Sequence, residues 1–245
     1  MSTSPSNYTP RPMSSTTTYA LGAVALVMIG LIVVLAYRWG TGEAEVRNDG
    51  YGSVRQDAVV SALHTDGAIR LGRTDAAKTI DLYEDPLCPA CGSLEHLYGQ
   101  EIAQKMDEGK LAVRYRFVNF LDPRSDSKDY STRAIAALQC VASAGSGPTY
   151  AKFHHALFTD RQPEEGGADL SNNDLAAIAA EAGAPEPAHQ CITSGERIAA
   201  AKTDAAAATD DLTAALDDNA ATPSVFDGET RLDVNNQEWV AHAAP

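Results

Sequence analysis

A chain of 245 residues with 33 acidic and 19 basic side chains carries a formal charge of −14, and that sign excludes a nucleic-acid partner, because phosphate backbones are met by a surplus of Lys and Arg. Hydrophobic residues at 44% and charged residues at 21% lie near globular averages, which excludes disorder as the state of the whole chain. Four cysteines are too few to staple a miniprotein, yet an even number raises the question of redox compartment.

Residues 1–18 are rich in Ser, Thr and Pro and are expected to be a disordered cytoplasmic tail. From Tyr19 to Tyr37, nineteen residues pass without a charge, nearly enough at 1.5 Å per residue to span a hydrocarbon core. Arg38 and Trp39 follow, as an interfacial anchor would. A cleaved signal peptide has a shorter apolar run, of about 7 to 15 residues, and ends in small residues. This run ends Leu35-Ala36-Tyr37-Arg38, so a retained single transmembrane helix is expected. Arg11 precedes it and Arg38, Arg47 and Arg55 follow, so flanking charge leaves the orientation open. Residues 38–54, with Gly40, Gly42, Gly50 and Gly52 among charged side chains, are expected to form a flexible linker. The soluble domain then occupies 55–245, enough for one substantial core.

Within that domain, Asp57 to Leu71 alternates around His64-Thr65-Asp66-Gly67 and predicts a hairpin. Lys78 to Glu84 predicts a short strand that ends at Asp85-Pro86. Cys88-Pro89-Ala90-Cys91 follows directly, and then Leu94, Leu97, Ile102 and Met106 recur at helical spacing. Leu111 to Leu121 predicts a largely buried strand, which completes a βαβ unit and an α/β class with a parallel pair. The Ala-rich stretch from Ser131 to Leu216 favours helices. Within it, Ser171-Asn172-Asn173-Asp174 supplies an N-cap and Gly183 a C-cap. Beyond Asn219, Asp227-Gly228 between two β-prone runs predicts a second hairpin, and a short helix is expected around Gln237 to Ala243.

The CxxC carries the chemistry. A cysteine at a helix N-terminus meets unpaired N–H groups and the positive end of the helix dipole, which stabilise its thiolate. Pro89 suits the first helical position, where no N–H is needed. Cys91, inside the first turn, is then placed to attack a mixed disulfide formed at Cys88, so Cys88 is the attacking sulfur and Cys91 the resolving one. A zinc site would need four ligands, and Cys140 and Cys191 supply no second CxxC while the histidines form no matching pair. No metal or organic cofactor is implied.

The chain resembles the DsbA-like branch of the thioredoxin-fold disulfide oxidoreductases, in particular membrane-tethered actinobacterial ones. The residues that carry the resemblance are Tyr83-Glu84-Asp85-Pro86-Leu87-Cys88-Pro89-Ala90-Cys91, Phe153-His154-His155-Ala156-Leu157-Phe158, Cys191-Ile192-Thr193-Ser194-Gly195 and Thr222-Pro223-Ser224. It implies a thioredoxin fold with a helical insertion at about 125–200. It also implies a cis Pro223 facing the CxxC, with the backbone of Thr222 offered to a substrate chain. Many relatives place an acid six residues before the first cysteine, to help proton transfer to the resolving thiol. Leu82 stands there, and Glu84, of the same strand parity, is the expected substitute. The strongest oxidants of the family carry His between the cysteines; Ala90 here implies a less oxidising couple.

Cys140 and Cys191 are expected to form a structural disulfide in an exported domain, as the family resemblance also implies. A second redox relay and free buried thiols are the alternatives. His154 and His155 are adjacent on a helix, so at most one is expected to face the core, with the other in solvent. With no nucleophile nearby in sequence, neither is assigned to catalysis.

The expected whole is a single-pass membrane protein with an extracytoplasmic catalytic domain that introduces disulfides into exported proteins bearing free thiols. The resemblance implies reoxidation by a membrane quinone-linked thiol oxidase of the DsbB or vitamin K epoxide reductase type. A membrane-tethered reductase or isomerase, and a non-enzymatic tethered binding module, are the competing readings.

Overall fold

The computed structural model describes residues 45–245. The tail at 1–18, the apolar segment at 19–37 and the first part of the expected linker lie outside those residues. Among the described residues no helix is long and apolar enough to cross a membrane.

A mixed six-stranded sheet organises the domain, built from β1 (Val59–Leu63), β2 (Ile69–Arg73), β3 (Lys78–Glu84), β4 (Leu111–Phe117), β5 (Ser224–Asp227) and β6 (Thr230–Arg231). Its strand order is β1-β2-β4-β3-β5-β6. Only β3 and β4 run parallel, from Lys78 opposite Leu111 to Glu84 opposite Phe117. The crossover between them is helix α1 (Pro89–Asp107), which the CxxC opens. On β3, Ile80, Leu82 and Glu84 share one face by strand parity, and Ile80 and Leu82 pack into the main core with Leu94, Tyr98, Ile102 and Met106 of α1. Burying each of those aliphatic side chains contributes about 1.5–3 kcal/mol. Tyr83 points to the other face, against Phe226 of β5 in an edge-on contact of 5.7 Å between ring centroids.

Helices α2 (Tyr130–Ala142), α3 (Gly147–His155), α4 (Asn172–Glu181) and α5 (Glu186–Ser194) lie between β4 and β5 in the chain, and α6 (Ile198–Ala215) leads back towards the sheet. A π-helical turn, Ala156–Asp160, extends α3. The helix α4 starts on a full capping box between Ser171 and Asp174, and Gly183 beyond its end takes the left-handed φ of +93°, as its position past the last turn favours. The short α7 (Trp239–Ala243) closes the chain, with Trp239 edge-on to Tyr98. This is the expected thioredoxin fold, α/β with a mixed sheet.

Three boundaries differ from expectation. The linker expected over 38–54 is folded from Val46 onward. Arg47 donates its N–H to the Leu97 carbonyl and pairs with Glu101 and Glu238, while Tyr51 donates to Asp107. Val54 is buried. Gly50 and Gly52 hold φ of +85° and +80°, so they shape turns in packed chain instead of loosening a tether. The fourth strand stops at Phe117, because Val118 donates to the Glu84 carbonyl and Leu121 to the Asp85 carboxylate, which draws 118–121 around the site. The second hairpin turns on Gly228-Glu229, since Asp227 pairs with Thr230.

Candidate active site

Strand β3 delivers Asp85 and Leu87 to the sheet's end, and the chain turns there into α1. Asp85 is buried and accepts hydrogen bonds from Leu87 N–H (3.0 Å), Leu121 N–H (3.0 Å) and the Ser131 hydroxyl (2.5 Å). One carboxyl thus ties the CxxC turn to the loop after β4 and to α2. Burial pushes it up to about 7 despite those donors. From the other side, Gln162 donates to the carbonyls of Pro86 (3.1 Å) and Cys88 (3.0 Å). The approach depends on Gly92, where a Cβ would sit 2.4 Å from Gln162 Oε1 and 2.5 Å from the Phe158 carbonyl.

Cys88 is the N-cap of α1 and Pro89 its first residue. The Thr222-Pro223 peptide is cis, and Cys88 Sγ lies 3.5 Å from the Thr222 carbonyl. A hydrogen bond from Cys91 acts most strongly on Cys88. It outweighs burial and, with the Thr222 side chain and the N–H groups of Cys91 and Ala90, holds the Cys88 thiol down to about 6. Burial pushes the Cys91 thiol well above its ordinary value, reinforced by the hydrogen bond to Cys88 and by the charge of Glu84. One sulfur is therefore a thiolate near neutral pH and its neighbour a protonated thiol, the division of labour that disulfide exchange requires.

Glu84 is completely buried, and its Oε2 lies 3.0 Å from His154 Nε2. Burial raises its carboxyl against the opposing influence of His154. His154 is buried and His155 half-exposed, so the adjacent pair divides as expected. His154, not assigned to catalysis from the sequence, reaches Glu84 across 70 positions of sequence. His155 Nδ1 lies 3.0 Å from Glu95 on α1. The sequence reading also missed Glu95, Asp85 and Gln162. Glu95 had a signal: it stands four residues after Cys91, on the buried stripe of α1 that also carries Leu94, Tyr98 and Ile102.

Cys140 on α2 and Cys191 on α5 are bonded, with Cα atoms 5.9 Å apart. Among the described residues, Cys88 and Cys91 are the free cysteines, and no group of three or more His, Cys, Asp or Glu is placed to hold a metal ion.

A helix-start CxxC set against a cis-proline loop on this sheet is the architecture of the DsbA-like thiol-disulfide oxidoreductases. The family profile described as "Thioredoxin" matches residues 64–242, and the chain belongs to that family. Among solved structures it is similar to the MdbA thiol-disulfide oxidoreductase of Corynebacterium diphtheriae, at 27% identity and a TM-score of 0.68 over 80% of this chain and 100% of that one. Oxidised DsbA of Mycobacterium tuberculosis aligns at 32% identity and a TM-score of 0.58, covering 73% and 94% of the two chains. Reduced DsbG of the same organism aligns at 31% and 0.59, covering 75% and 91%. A curated relative, the serine/threonine-protein kinase PknE of Mycobacterium tuberculosis, is 40% identical over 187 residues, 76% of this chain. The chain spans about a third of that protein's length, 32%.

Proposed function

We propose that this chain is an extracytoplasmic thiol oxidase, held at the cell membrane by the apolar segment 19–37 as a single-pass anchor, that introduces disulfides into exported proteins. The observation that carries the direction is the Cys88 thiol held at about 6. A stabilised thiolate favours the reduced form of the couple and so makes the oxidised form the stronger oxidant. The Cys140–Cys191 bond supports the compartment, since lasting structural disulfides belong to oxidising surroundings.

In the mechanism, a substrate thiolate attacks Cys88 Sγ of the Cys88–Cys91 disulfide. Cys91 leaves as a thiolate and takes up a proton, with Glu84 as the nearby acid. A second substrate thiolate then attacks the mixed disulfide on its own chain's sulfur, forming the new disulfide and freeing Cys88 as a stabilised thiolate. Thr222, ahead of the cis Pro223, lines the attacking sulfur and offers backbone to the incoming chain. Reoxidation returns two electrons to a membrane quinone-linked thiol oxidase of the DsbB or vitamin K epoxide reductase type.

One feature favours the opposite flow, a reductase or isomerase: Ala90 between the cysteines supplies no side-chain donor to the thiolate. The reduction potential of the purified protein in glutathione buffers, with Cys88→Ser as the blank, separates the two. The oxidase reading expects a value well above about −200 mV; a value at or below about −270 mV assigns the reductase.

A further inference from the structure

Behind the CxxC, four titratable side chains from three elements stand in file. Glu84, at the end of β3, has Oε2 at 3.0 Å from His154 Nε2, and its Oε1 is buried with no hydrogen-bond partner among the described residues. On the other edge of the His154 ring, Nδ1 lies 3.8 Å from Glu95 Oε2 of α1. Glu95 Oε1 in turn lies 3.0 Å from His155 Nδ1. The file reaches solvent at His155, whose side chain is 40% exposed. His155 lines a cleft of about 120 Å³ with Gly99, Gln100 and Ala103, two to three helical turns beyond Cys91 on α1. Neither cysteine of the CxxC lines that cleft.

Three ionisable groups in a core, Glu84, His154 and Glu95, are expensive to keep, and apolar residues of equal volume would serve packing as well or better. The ring between the carboxylates is also held in place: Tyr115 and Phe158 each pack on His154 with centroids 4.5 Å away. That grip keeps one nitrogen in hydrogen-bond reach of Glu84 and turns the other towards Glu95 at 3.8 Å, so that a closure of about 0.6 Å to hydrogen-bond distance lets the imidazole accept a proton at one edge and release one from the other.

We propose that Glu84, His154, Glu95 and His155 form a proton path that connects the buried Cys91 thiol to solvent at this cleft, away from the CxxC mouth that a client chain covers. The proposal rests on the disulfide exchange assigned above. When Cys91 resolves a mixed disulfide, its S–H proton passes to Glu84. The Cys91 electron pair forms the Cys88–Cys91 bond, and the bond to the client breaks with its pair on the departing client sulfur. Glu84 then passes a proton to His154 Nε2, the Nδ1 proton moves to Glu95, and Glu95 hands one to His155 Nδ1, whose Nε2 releases one to water. When Cys91 is instead the leaving thiolate, the same steps run inward.

The surroundings fit this direction of travel. Burial raises the Glu84 carboxyl, which makes it a better proton acceptor than an ordinary carboxylate. Although burial alone would raise Glu95, the His155 hydrogen bond and the two histidines hold it low, and the Glu95 hydrogen bond raises His155. The outer pair therefore draws a proton that arrives at Glu95 on to His155, at the solvent end. The other titratable groups facing the path are Cys88, Tyr115 of β4, Tyr150 of α3 and, beside His155, Asp160. Burial pushes both tyrosines well above their ordinary value, so they stay neutral and do not short-circuit it.

Dithiobis(nitrobenzoate) added to the reduced full-length protein releases its coloured thiolate twice, first when Cys88 attacks and again when Cys91 resolves the mixed disulfide. In His155→Gln and Glu95→Gln the first phase should be unchanged and the second slowed roughly ten- to a hundredfold, at or below the usual worth of a proton-transfer group. Added imidazole should restore the second phase in His155→Gln, which a merely structural role would not allow. An unchanged second phase in both variants, or both phases slowed together without rescue by imidazole, would overturn the path. If Glu95→Gln does not fold, the exposed His155→Gln with imidazole rescue decides alone. A missing first phase in the wild type would instead remove the exchange reading, and the path with it.

Discussion

The cysteines that open α1 and those that join α2 to α5 are the same functional group in opposite settings. Cys140 and Cys191, separated by 51 positions, sit inside packed helices and are bonded. Cys88 and Cys91 are three positions apart and free, one at a helix N-terminus and one beneath it. Burial does not distinguish them, for Cys88 is 7% exposed and Cys140 3%. What differs is the company. Cys88 meets two backbone N–H groups, a neighbouring S–H and the Thr222 side chain, whereas Cys140 and Cys191 lie along helices whose N–H groups are already paired. Reactivity here comes first from the neighbouring Cys91 S–H, with the Thr222 side chain and the helix-start N–H groups adding to it, and stability from a closed loop.

The comparison breaks most directly by exchanging the two losses. Cys88→Ala should reduce oxidation of a dithiol peptide to the uncatalysed rate. Replacing both Cys140 and Cys191 by Ala should leave turnover per folded molecule intact while removing roughly 4 kcal/mol of stability, the chain-entropy value for a loop of that length. Urea unfolding and peptide oxidation read the two effects separately. A folded double variant without turnover would move the second pair into the redox chemistry.

A smaller effect is expected where the helical insertion leans on the CxxC turn. Gly92→Ala places a methyl 2.5 Å from the Phe158 carbonyl, and because that atom is backbone it cannot swing aside. A cost of about 1–3 kcal/mol in thermal or urea unfolding should follow, together with slower exchange at Cys88 as Gln162 is displaced. Unchanged stability would mean that the insertion is loosely seated on α1.

The two settings were unequally legible in the sequence. Strand β3, the turn at Asp85-Pro86 and the helix-start CxxC were readable because each rests on local pattern: β-prone residues, a proline, then apolar residues at helical spacing. Glu84 was reachable through strand parity, a local rule as well. Its partner was not, since His154 lies 70 positions away and only the packing of α3 across the sheet brings the two within 3.0 Å. Gln162 follows a π-helical turn, a change of helical phase that a 3.6-residue pattern does not anticipate. The linker was misjudged for a related reason. Gly50 and Gly52 look loose by composition, but the partners that pin their neighbours Arg47 and Tyr51, Glu101 and Asp107 on α1 and Glu238 just before α7, come 50 or more positions later.

The smallest change sharpens the account of Cys88 itself. Thr222→Val removes one donor and leaves the Cys91 S–H and the helix N–H groups in place. The midpoint of Cys88 alkylation should rise by about one pH unit, the worth of one hydrogen bond to a charged group. No rise would assign the thiolate to the helix and Cys91 alone.

The thiolate also has a stability consequence with a definite sign. A thiol held below its unfolded value stabilises the reduced fold above that unfolded value, and the gain is lost as pH falls through the folded one. Reduced protein should therefore gain stability relative to oxidised protein between about pH 6 and pH 9.0. Asp85 is common to both forms and cancels from that difference.

The central claim, one sulfur ionised and its neighbour not, is tested most directly by the pH profile of iodoacetamide alkylation of the reduced protein, with each cysteine followed by mass spectrometry. The account predicts that Cys88 alone is modified, with a midpoint near 6, while Cys91 stays protected through neutral pH. A midpoint near 9 for Cys88, or equal modification of Cys88 and Cys91, would contradict it.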